Sequence, residues 1–184
     1  MSVGDVLRRL VDKFDAAGIP HMVAGSFAST YHGVPRSTRD IDIVIDPSVS
    51  SLDTLLGQLP ADDYYVDADV ARDALKRRSQ FNVIDMATGW KVDLIVRRAR
   101  PFRVEEFRRR EPAEIFGARV FLATPEDSII AKLEWAKLGD SERQLRDVAG
   151  IISVRGSALD RAYIEHWATA LDLLGQWNRV TTGE

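Results

Sequence analysis

The chain has 184 residues, a net charge of −3 and no cysteine. This length suits one hydrophobic core with a helical appendage. Without cysteine there are no disulfides or thiolate metal sites, and His21, His32 and His166 are too scattered for a zinc site, so any metal should be oxygen-bound. No apolar run approaches the roughly 20 residues that cross a bilayer, and the N-terminus has no secretory pattern. We therefore expect a cytoplasmic protein with no membrane partner.

Charge is unevenly distributed along the chain. Residues 40–75 contain nine acidic side chains and one basic side chain, whereas residues 91–110 contain eight basic and three acidic ones. Such runs are compatible with ordinary solvated faces. They are also compatible with an acidic metal cleft beside a basic rim that attracts phosphates.

The first half of the chain alternates between helical and strand patterns. Apolar residues at helical spacing predict a first helix that ends before Gly18. The next predicted elements are a strand over 21–24, a helix over 26–32, a β-branched strand over 41–45 and helices over 51–59 and 70–78. An acidic turn separates the last two helices, and we expect it to be solvated.

The second half contains two hairpin patterns and then only helices. Strands over 81–86 and 90–96 flank Ala87-Thr88-Gly89, and a weaker pair over 114–116 and 119–122 flanks Gly117. Thr124 suits a helix N-cap, and helices are predicted over 125–138, 141–153 and 158–174. The pattern predicts an α/β (α+β) fold with a small mixed β-sheet core over residues 1–122 and a packed helical part over 123–184. Core positions are expected for its aromatic residues, Trp135, Tyr163, Trp167 and Trp177.

Asp40 and Asp42 are the first candidate site residues. Side chains alternate along a strand, so these carboxylates share one face and lie about 6.7 Å apart, while isoleucines fill the other face. Two-metal sites hold their metal ions about 3.5–4 Å apart, so both carboxylates can reach the same two metal ions. The alternative is that the two acids accept hydrogen bonds from loop amides or pair with Arg36 and Arg39.

Asp93 is the candidate third carboxylate. It lies on the face of its strand opposite Val92 and Leu94, and it can reach the first two acids if its strand neighbours theirs. A third carboxylate can ligate a metal and help to remove the proton of an attacking hydroxyl. Alternatively, Asp93 is a half-exposed residue paired with Lys91, or Asp85 takes the role.

Gly25 and Ser26 form a small-residue turn before a helix. A backbone without a Cβ allows close approach of a phosphate, and a helix N-terminus favours anions. The alternative is an ordinary strand-to-helix turn in which Ser26 caps the helix.

In this order, Gly25-Ser26, Asp40-Ile41-Asp42 and Lys91-Val92-Asp93 resemble the pattern of the nucleotidyltransferase superfamily that includes the DNA polymerase beta-like enzymes. The resemblance implies a nucleoside triphosphate donor and two Mg²⁺ ions, with Mn²⁺ as a possible substitute. It further implies transfer of a nucleoside monophosphate to an acceptor hydroxyl with release of pyrophosphate. The implied metal ligands and catalytic residues are Asp40, Asp42 and Asp93, and Gly25 and Ser26 are implied to hold the triphosphate.

Within that superfamily, the chain is similar to small bacterial AbiEii-type and related minimal nucleotidyltransferases. The similarity rests on residues 36–42 and on the segment EDSIIAKLEWAKLGDSERQLRDV. It implies that Lys132, Arg146 and Asp147 belong to the nucleotide site. We expect Lys132, with Arg36, to neutralise phosphate charge. The similarity also implies a toxin-antitoxin or phage-defence component that modifies tRNA or protein, with a cognate antitoxin as a possible partner. In the alternative, Lys132 is a solvated surface residue and Arg146-Asp147 a structural ion pair.

Two other functions fit the same residues. One is a catalytically silent protein of this fold that binds a partner or nucleic acid. The other is an enzyme of the superfamily that modifies an aminoglycoside-type small molecule, for which acids at 62–69 would form an acceptor pocket. Basic residues at 97–110 would instead favour RNA.

Overall fold

A computed structural model describes residues 2–182, which form two compact units. The elements in chain order are α1 (Val3–Ala16), β1 (His21–Val23), α2 (Gly25–His32), β2 (Asp40–Ile45), α3 (Val49–Gly57), β3 (Tyr64–Tyr65), α4 (Ala68–Arg77), β4 (Gln80–Asp85), β5 (Lys91–Val96), α5 (Pro101–Arg109), β6 (Glu111–Ile115), β7 (Ala118–Leu122), α6 (Pro125–Gly139), α7 (Glu142–Arg155), a 3-10 turn (Gly156–Ala158), α8 (Arg161–Ala170) and α9 (Leu174–Thr182). The first unit comprises residues 2–24 and 38–122, and the second comprises 25–37 and 123–182. Residues 25–37, predicted as part of the first unit, thus belong to the helical one.

The first unit is built on a mixed sheet, as the sequence predicts. Within the described residues it has seven strands in the order β3-β4-β5-β2-β1-β7-β6. The pairs β2–β5 and β1–β7 are parallel, and the other neighbours are antiparallel. Parallel pairing of β2 with β5 brings the amino ends of these two strands to the same edge of the sheet.

Alternation along the strands explains why the sheet forms here. Ile41, Ile43 and Ile45 are fully buried, while Asp40 before them and Asp42 between the first two are not. Helix α1 covers part of the sheet with a buried apolar stripe at helical spacing, made of Val6, Leu7, Leu10, Val11 and Phe14. The isoleucines therefore anchor β2 from one face, which leaves its other face available for polar side chains.

The second unit is helical, and α2 packs against α6 and α7 within it. The approach is close at Gly33, because a Cβ there would lie 2.7 Å from the backbone nitrogen of Ile151. A side chain at residue 33 would push this backbone away, so glycine permits the packing. None of the helices between residues 2 and 182 combines the length and hydropathy that a bilayer crossing needs.

His32 is a buried polar residue of the second unit with a defined tautomer. Its Nε2 lies 2.7 Å from the carbonyl of Ala123, and its Nδ1 lies 2.9 Å from a guanidinium nitrogen of Arg155. A carbonyl only accepts and a guanidinium only donates, so Nε2 carries the proton and Nδ1 is bare. Burial lowers the pKa of His32, and the charge of Arg155 lowers it further, against the effect of the Ala123 carbonyl.

We expect the unfolding free energy to fall as the pH drops below 6.5, the ordinary pKa of histidine. Because the pKa of His32 is lowered in the fold, the unfolded chain binds more protons in that range. The expected slope is at most about 1.4 kcal/mol per pH unit for this residue. Urea unfolding of His32→Gln between pH 7 and 5 should show a shallower slope than wild type, and exposed His166→Gln should keep the wild-type slope. Equal slopes for the two variants would contradict the assignment.

Three features of the structure differ from the sequence prediction. Residues 158–174 do not form one helix: Asp160 caps α8 by accepting from the Tyr163 backbone, and Asp172 has a φ of +57° between α8 and α9. Helix α5, which begins at Pro101, is not among the predicted elements. Trp135 was expected in the core but is 58% exposed, whereas Trp177 is buried.

Candidate active site

The register of β2 and β5 brings Asp40, Asp42 and Asp93 together, and we call these three residues the carboxylate cluster. Asp42 lies directly beside Asp93, and Asp40 lies beside Lys91. Residues paired in register on neighbouring strands point to the same face of the sheet. The condition that the sequence set for a third carboxylate, adjacency of the two strands, is met. Asp93 is only 8% exposed and does not point into solvent.

Lys91 lies inside this cluster. Its Nζ donates to Asp93 Oδ2 at 3.0 Å and lies 4.0 Å from Asp40 Oδ1. The hydrogen bond to Asp93 raises the pKa of Lys91 above its ordinary value; burial opposes the rise, and the charges of Asp93, Asp40 and Asp42 add to it. The pairing of Asp93 with Lys91, considered from sequence as an alternative to a metal role, is present. The Asp40 carboxylate also forms an ion pair with Lys91.

The donor atoms of the carboxylate cluster are those that hard metal ions prefer. Among residues 2–182, no group of three acidic or histidine side chains is already arranged around one ion position. However, Asp93 Oδ1 is buried and has no hydrogen-bond partner in this part of the chain, while its other oxygen binds the Lys91 ammonium. An unpartnered carboxylate oxygen beside a second carboxylate, in a set made only of oxygen donors, fits Mg²⁺ or Mn²⁺.

Asp85, the competing third carboxylate, has a structural environment. It is buried, and it accepts hydrogen bonds from the Thr88 backbone at 3.0 Å and the Thr88 hydroxyl at 2.7 Å. It also forms an ion pair with Arg9. These contacts hold the turn between β4 and β5 and use the carboxylate fully.

A second polar cluster, called the Asp147 cluster, consists of Ser26, Arg36, Lys132, Gln144 and Asp147 of the second unit. Arg36 donates to both Asp147 oxygens at 2.7 and 2.9 Å and to the Ser26 hydroxyl at 2.7 Å. Lys132 donates to Asp147 at 2.7 Å and to Gln144 at 2.9 Å. Two cations share one carboxylate, which leaves the five side chains with a net positive charge.

The centre of the Asp147 cluster is shielded from water. The side chains of Lys132 and Asp147 are only 6% and 7% exposed. Burial raises the pKa of Asp147, but the hydrogen bonds and charges of Arg36 and Lys132 outweigh it and hold the pKa below the ordinary value. The interpretation of Lys132 as a solvated surface residue is therefore wrong. Asp147 pairs with Lys132 and Arg36, while neighbouring Arg146 is exposed.

Gly25 opens α2 with a φ of +57°, a left-handed conformation that favours glycine. Ser26 does not act as a free cap, because its hydroxyl accepts from Arg36. The turn is thus tied to the loop that follows α2.

Three of the seven arginines in the basic stretch 91–110 form ion pairs with acids of their own unit. Arg97 pairs with Asp46 at 2.8 Å, and Arg108 pairs with Glu105 at 2.6 Å. Arg103 pairs with Glu106, also at 2.8 Å. In the acidic stretch, Asp67 accepts from the backbone at the start of α4 and serves as its N-cap.

No protein-family model and no curated protein matches the chain. Solved structures do. ANT(2'')-Ia in complex with adenylyl-2''-tobramycin is similar with a TM-score of 0.59 at 13% identity, over 94% of this chain and 97% of that one. An antigenic nucleotidyltransferase-like protein from Paracoccidioides brasiliensis has a TM-score of 0.54 at 19% identity, over 94% and 90%. The lincomycin-bound lincosamide antibiotic adenylyltransferase LnuA has a TM-score of 0.52 at 11% identity, over 79% and 94%. The chain has the fold of these solved nucleotidyltransferases.

Proposed function

We propose that this chain is an Mg²⁺-dependent nucleotidyltransferase that moves a nucleoside monophosphate from a nucleoside triphosphate to an acceptor hydroxyl and releases pyrophosphate. The observation that carries the proposal is the β2–β5 register, which sets Asp42 beside Asp93 with Asp40 on the same strand face. The fold shared with solved nucleotidyltransferases supports it.

In this proposal, Asp40, Asp42 and Asp93 hold the divalent ions. Bound ions would neutralise the carboxylates and polarise the phosphate under attack. Asp93 has a buried oxygen without a partner among residues 2–182, so it is the group best suited to accept the proton of the acceptor hydroxyl. Its neighbours Val92 and Leu94 are fully buried and fix its position on β5.

The proposal assigns binding of the triphosphate to residues of the second unit. The backbone at Gly25 and Ser26 would bind phosphate oxygens at the start of α2. Arg36 and Lys132 would supply positive charge, and Asp147 would orient both through the hydrogen bonds described above. The similarity to AbiEii-type proteins remains a prediction from sequence.

The acceptor is the second part of the proposal. The sequence resemblance implies tRNA or protein as the acceptor, as in a toxin-antitoxin system. The basic surface of this chain that would bind such an acceptor would lie at residues 97–110. The ion pairs of Arg97, Arg103 and Arg108 reduce the free positive charge of that stretch. This observation favours a small molecule as a second candidate acceptor, since the similar solved structures include ANT(2'')-Ia in complex with adenylyl-2''-tobramycin and the lincomycin-bound lincosamide antibiotic adenylyltransferase LnuA.

The test is transfer of label from each of the four α-³²P-labelled nucleoside triphosphates with Mg²⁺ or Mn²⁺. Acceptors are offered separately: total tRNA, a protein extract, tobramycin and lincomycin. The proposal expects one acceptor to be labelled together with release of pyrophosphate. No labelled product under any combination would contradict the transferase assignment and favour a silent binding protein.

A further inference from the structure

We propose that Lys91 is an internal counterion of the carboxylate cluster, which takes the place of a divalent cation when none is bound and competes with it for the same oxygens. The inference rests on the proposed function, because it assumes that Asp40, Asp42 and Asp93 hold the metal. It adds that metal loading is opposed by a residue of the site itself.

The geometry supports a role beyond an ordinary surface ion pair. The backbone of Lys91 is fixed in β5 beside Asp40, and its side chain reaches two residues along its own strand to Asp93. One ammonium group therefore contacts or approaches acids on both strands, at 3.0 Å for Asp93 and 4.0 Å for Asp40. This is the role that a metal ion would have in holding these strand ends together.

Electrostatics make the two cations exclusive. Three carboxylates on neighbouring positions repel one another unless a cation lies among them. A divalent ion bound to the same oxygens would repel an ammonium only a few ångströms away. The two states therefore differ in where the Lys91 side chain lies.

Lys91 can leave the cluster without disturbing the fold. Its side chain is 39% exposed, so its flexible stem already reaches water. Asp93, in contrast, is held by a buried strand. When a metal binds, the lysine moves to solvent and the carboxylates stay in place.

The experiment measures Mn²⁺ binding by electron paramagnetic resonance and calorimetry, without nucleotide, in wild type, Lys91→Met and Lys91→Arg. Removal of the competing charge should tighten Mn²⁺ binding by about tenfold in Lys91→Met. Lys91→Arg, which keeps the charge, should stay within about threefold of wild type. Lys76→Met, a loss of an exposed charge on α4, is the matched control and should not differ from wild type.

Thermal unfolding gives a second readout. Without metal, Lys91→Met should unfold about 2–4 °C below wild type, because the carboxylates lose their counterion. With saturating Mn²⁺ the difference should vanish or reverse. The same measurements on proteins that also carry Asp42→Asn identify the part of the Mn²⁺ binding that depends on the carboxylate cluster.

The outcomes separate the two proposals. If Mn²⁺ binding requires Asp42 but Lys91→Met binds no more tightly than wild type, the counterion role is overturned and the proposed function stands. If no binding depends on Asp42 in either protein, the metal site fails and both proposals are overturned.

A measurement on wild type covers the case in which Lys91→Met does not fold. The chain has only five lysines, so the ammonium signals in a ¹⁵N NMR spectrum are few. The Lys91 signal should be visible without metal, because its hydrogen bond to Asp93 slows proton exchange, and it should be lost or shifted when Mg²⁺ is added. An unchanged Lys91 signal at saturating Mg²⁺ would overturn the inference.

Discussion

Asp42→Asn should lower kcat/KM for nucleotidyl transfer by about a thousandfold or more. The substitution keeps the size of the side chain but removes a charge at the centre of the carboxylate cluster, beside Asp93. Metal-based stabilisation of transition-state charge is worth several kcal/mol, and each 1.4 kcal/mol or so is a factor of ten in rate. The effect should fall on kcat as well as on the Mg²⁺ concentration needed for half-maximal rate.

The control for this prediction is Asp12→Asn on α1. Asp12 is an exposed acid of the same unit, so the variant loses the same charge elsewhere. It should transfer label at the wild-type rate. Both variants should unfold within a few degrees of wild type, because Ile41 and Ile43 keep β2 in the core. Asp42→Asn activity within tenfold of wild type, at unchanged Mg²⁺ dependence, would remove Asp42 from the site.

The core of the fold was predictable because it depends on short-range patterns. The β-branched run with Ile41, Ile43 and Ile45 permits little other than a strand, and its alternation fixes which face carries Asp40 and Asp42. Thr124 and Pro125 likewise begin α6 where the capping pattern predicts, with Thr124 accepting from the backbone of Asp127. Strand β2 and the start of α6 are each determined by residues that are close together in sequence.

Elements that depend on tertiary contacts were not predictable in the same way. Helix α5 buries Phe102 and Phe107 together with Glu106, an acid in a core position that breaks the apolar pattern. The acid is tolerated because Arg103 pairs with it at 2.8 Å. Helix α9 was missed because Leu171 and Leu174 continue a helical spacing that the left-handed backbone at Asp172 interrupts.

The candidate site likewise has one part that short-range patterns predict and one part that depends on tertiary contacts. The position of Asp93 follows from alternation on its strand once β2 and β5 are neighbours, so it could be predicted conditionally. The contact of Lys91 with Asp40 could not, because it needs the parallel register itself. A signal was present, however: Lys91 and Asp93 are two residues apart and hence share a face.

Asp147→Ala should be among the most destabilising single substitutions in the second unit. It would remove the carboxylate that accepts a 2.7 Å hydrogen bond from the Lys132 ammonium and neutralises it, while the Lys132 side chain is only 6% exposed. Breaking a buried pair by removing one partner costs about 3–5 kcal/mol. Urea unfolding at pH 7 measures the loss, and Glu142→Gln, a change of an exposed acid on the same helix, should stay within about 0.5 kcal/mol of wild type.

The stabilisation that Asp147 provides should also depend on pH. The pKa of Asp147 is lowered in the fold, so the unfolded chain binds more protons near and below the ordinary value of 3.8. The contribution of Asp147 is complete above that value and is lost as the pH falls through the lowered pKa. The stability gap between wild type and Asp147→Ala should therefore be constant from pH 7 to 5 and should narrow toward pH 3.

A double variant, Lys132→Met/Asp147→Leu, distinguishes a structural role from a nucleotide-binding one. Replacing both buried charges with apolar groups of similar size often restores stability, so most of the loss in Asp147→Ala should be recovered. Arg36, at 27% exposure, can turn to water when it loses Asp147. If the cluster also binds the triphosphate, the stable double variant should still bind nucleotide at least tenfold more weakly than wild type. A double variant that is stable and binds nucleotide normally would restrict these residues to holding α6 against α7.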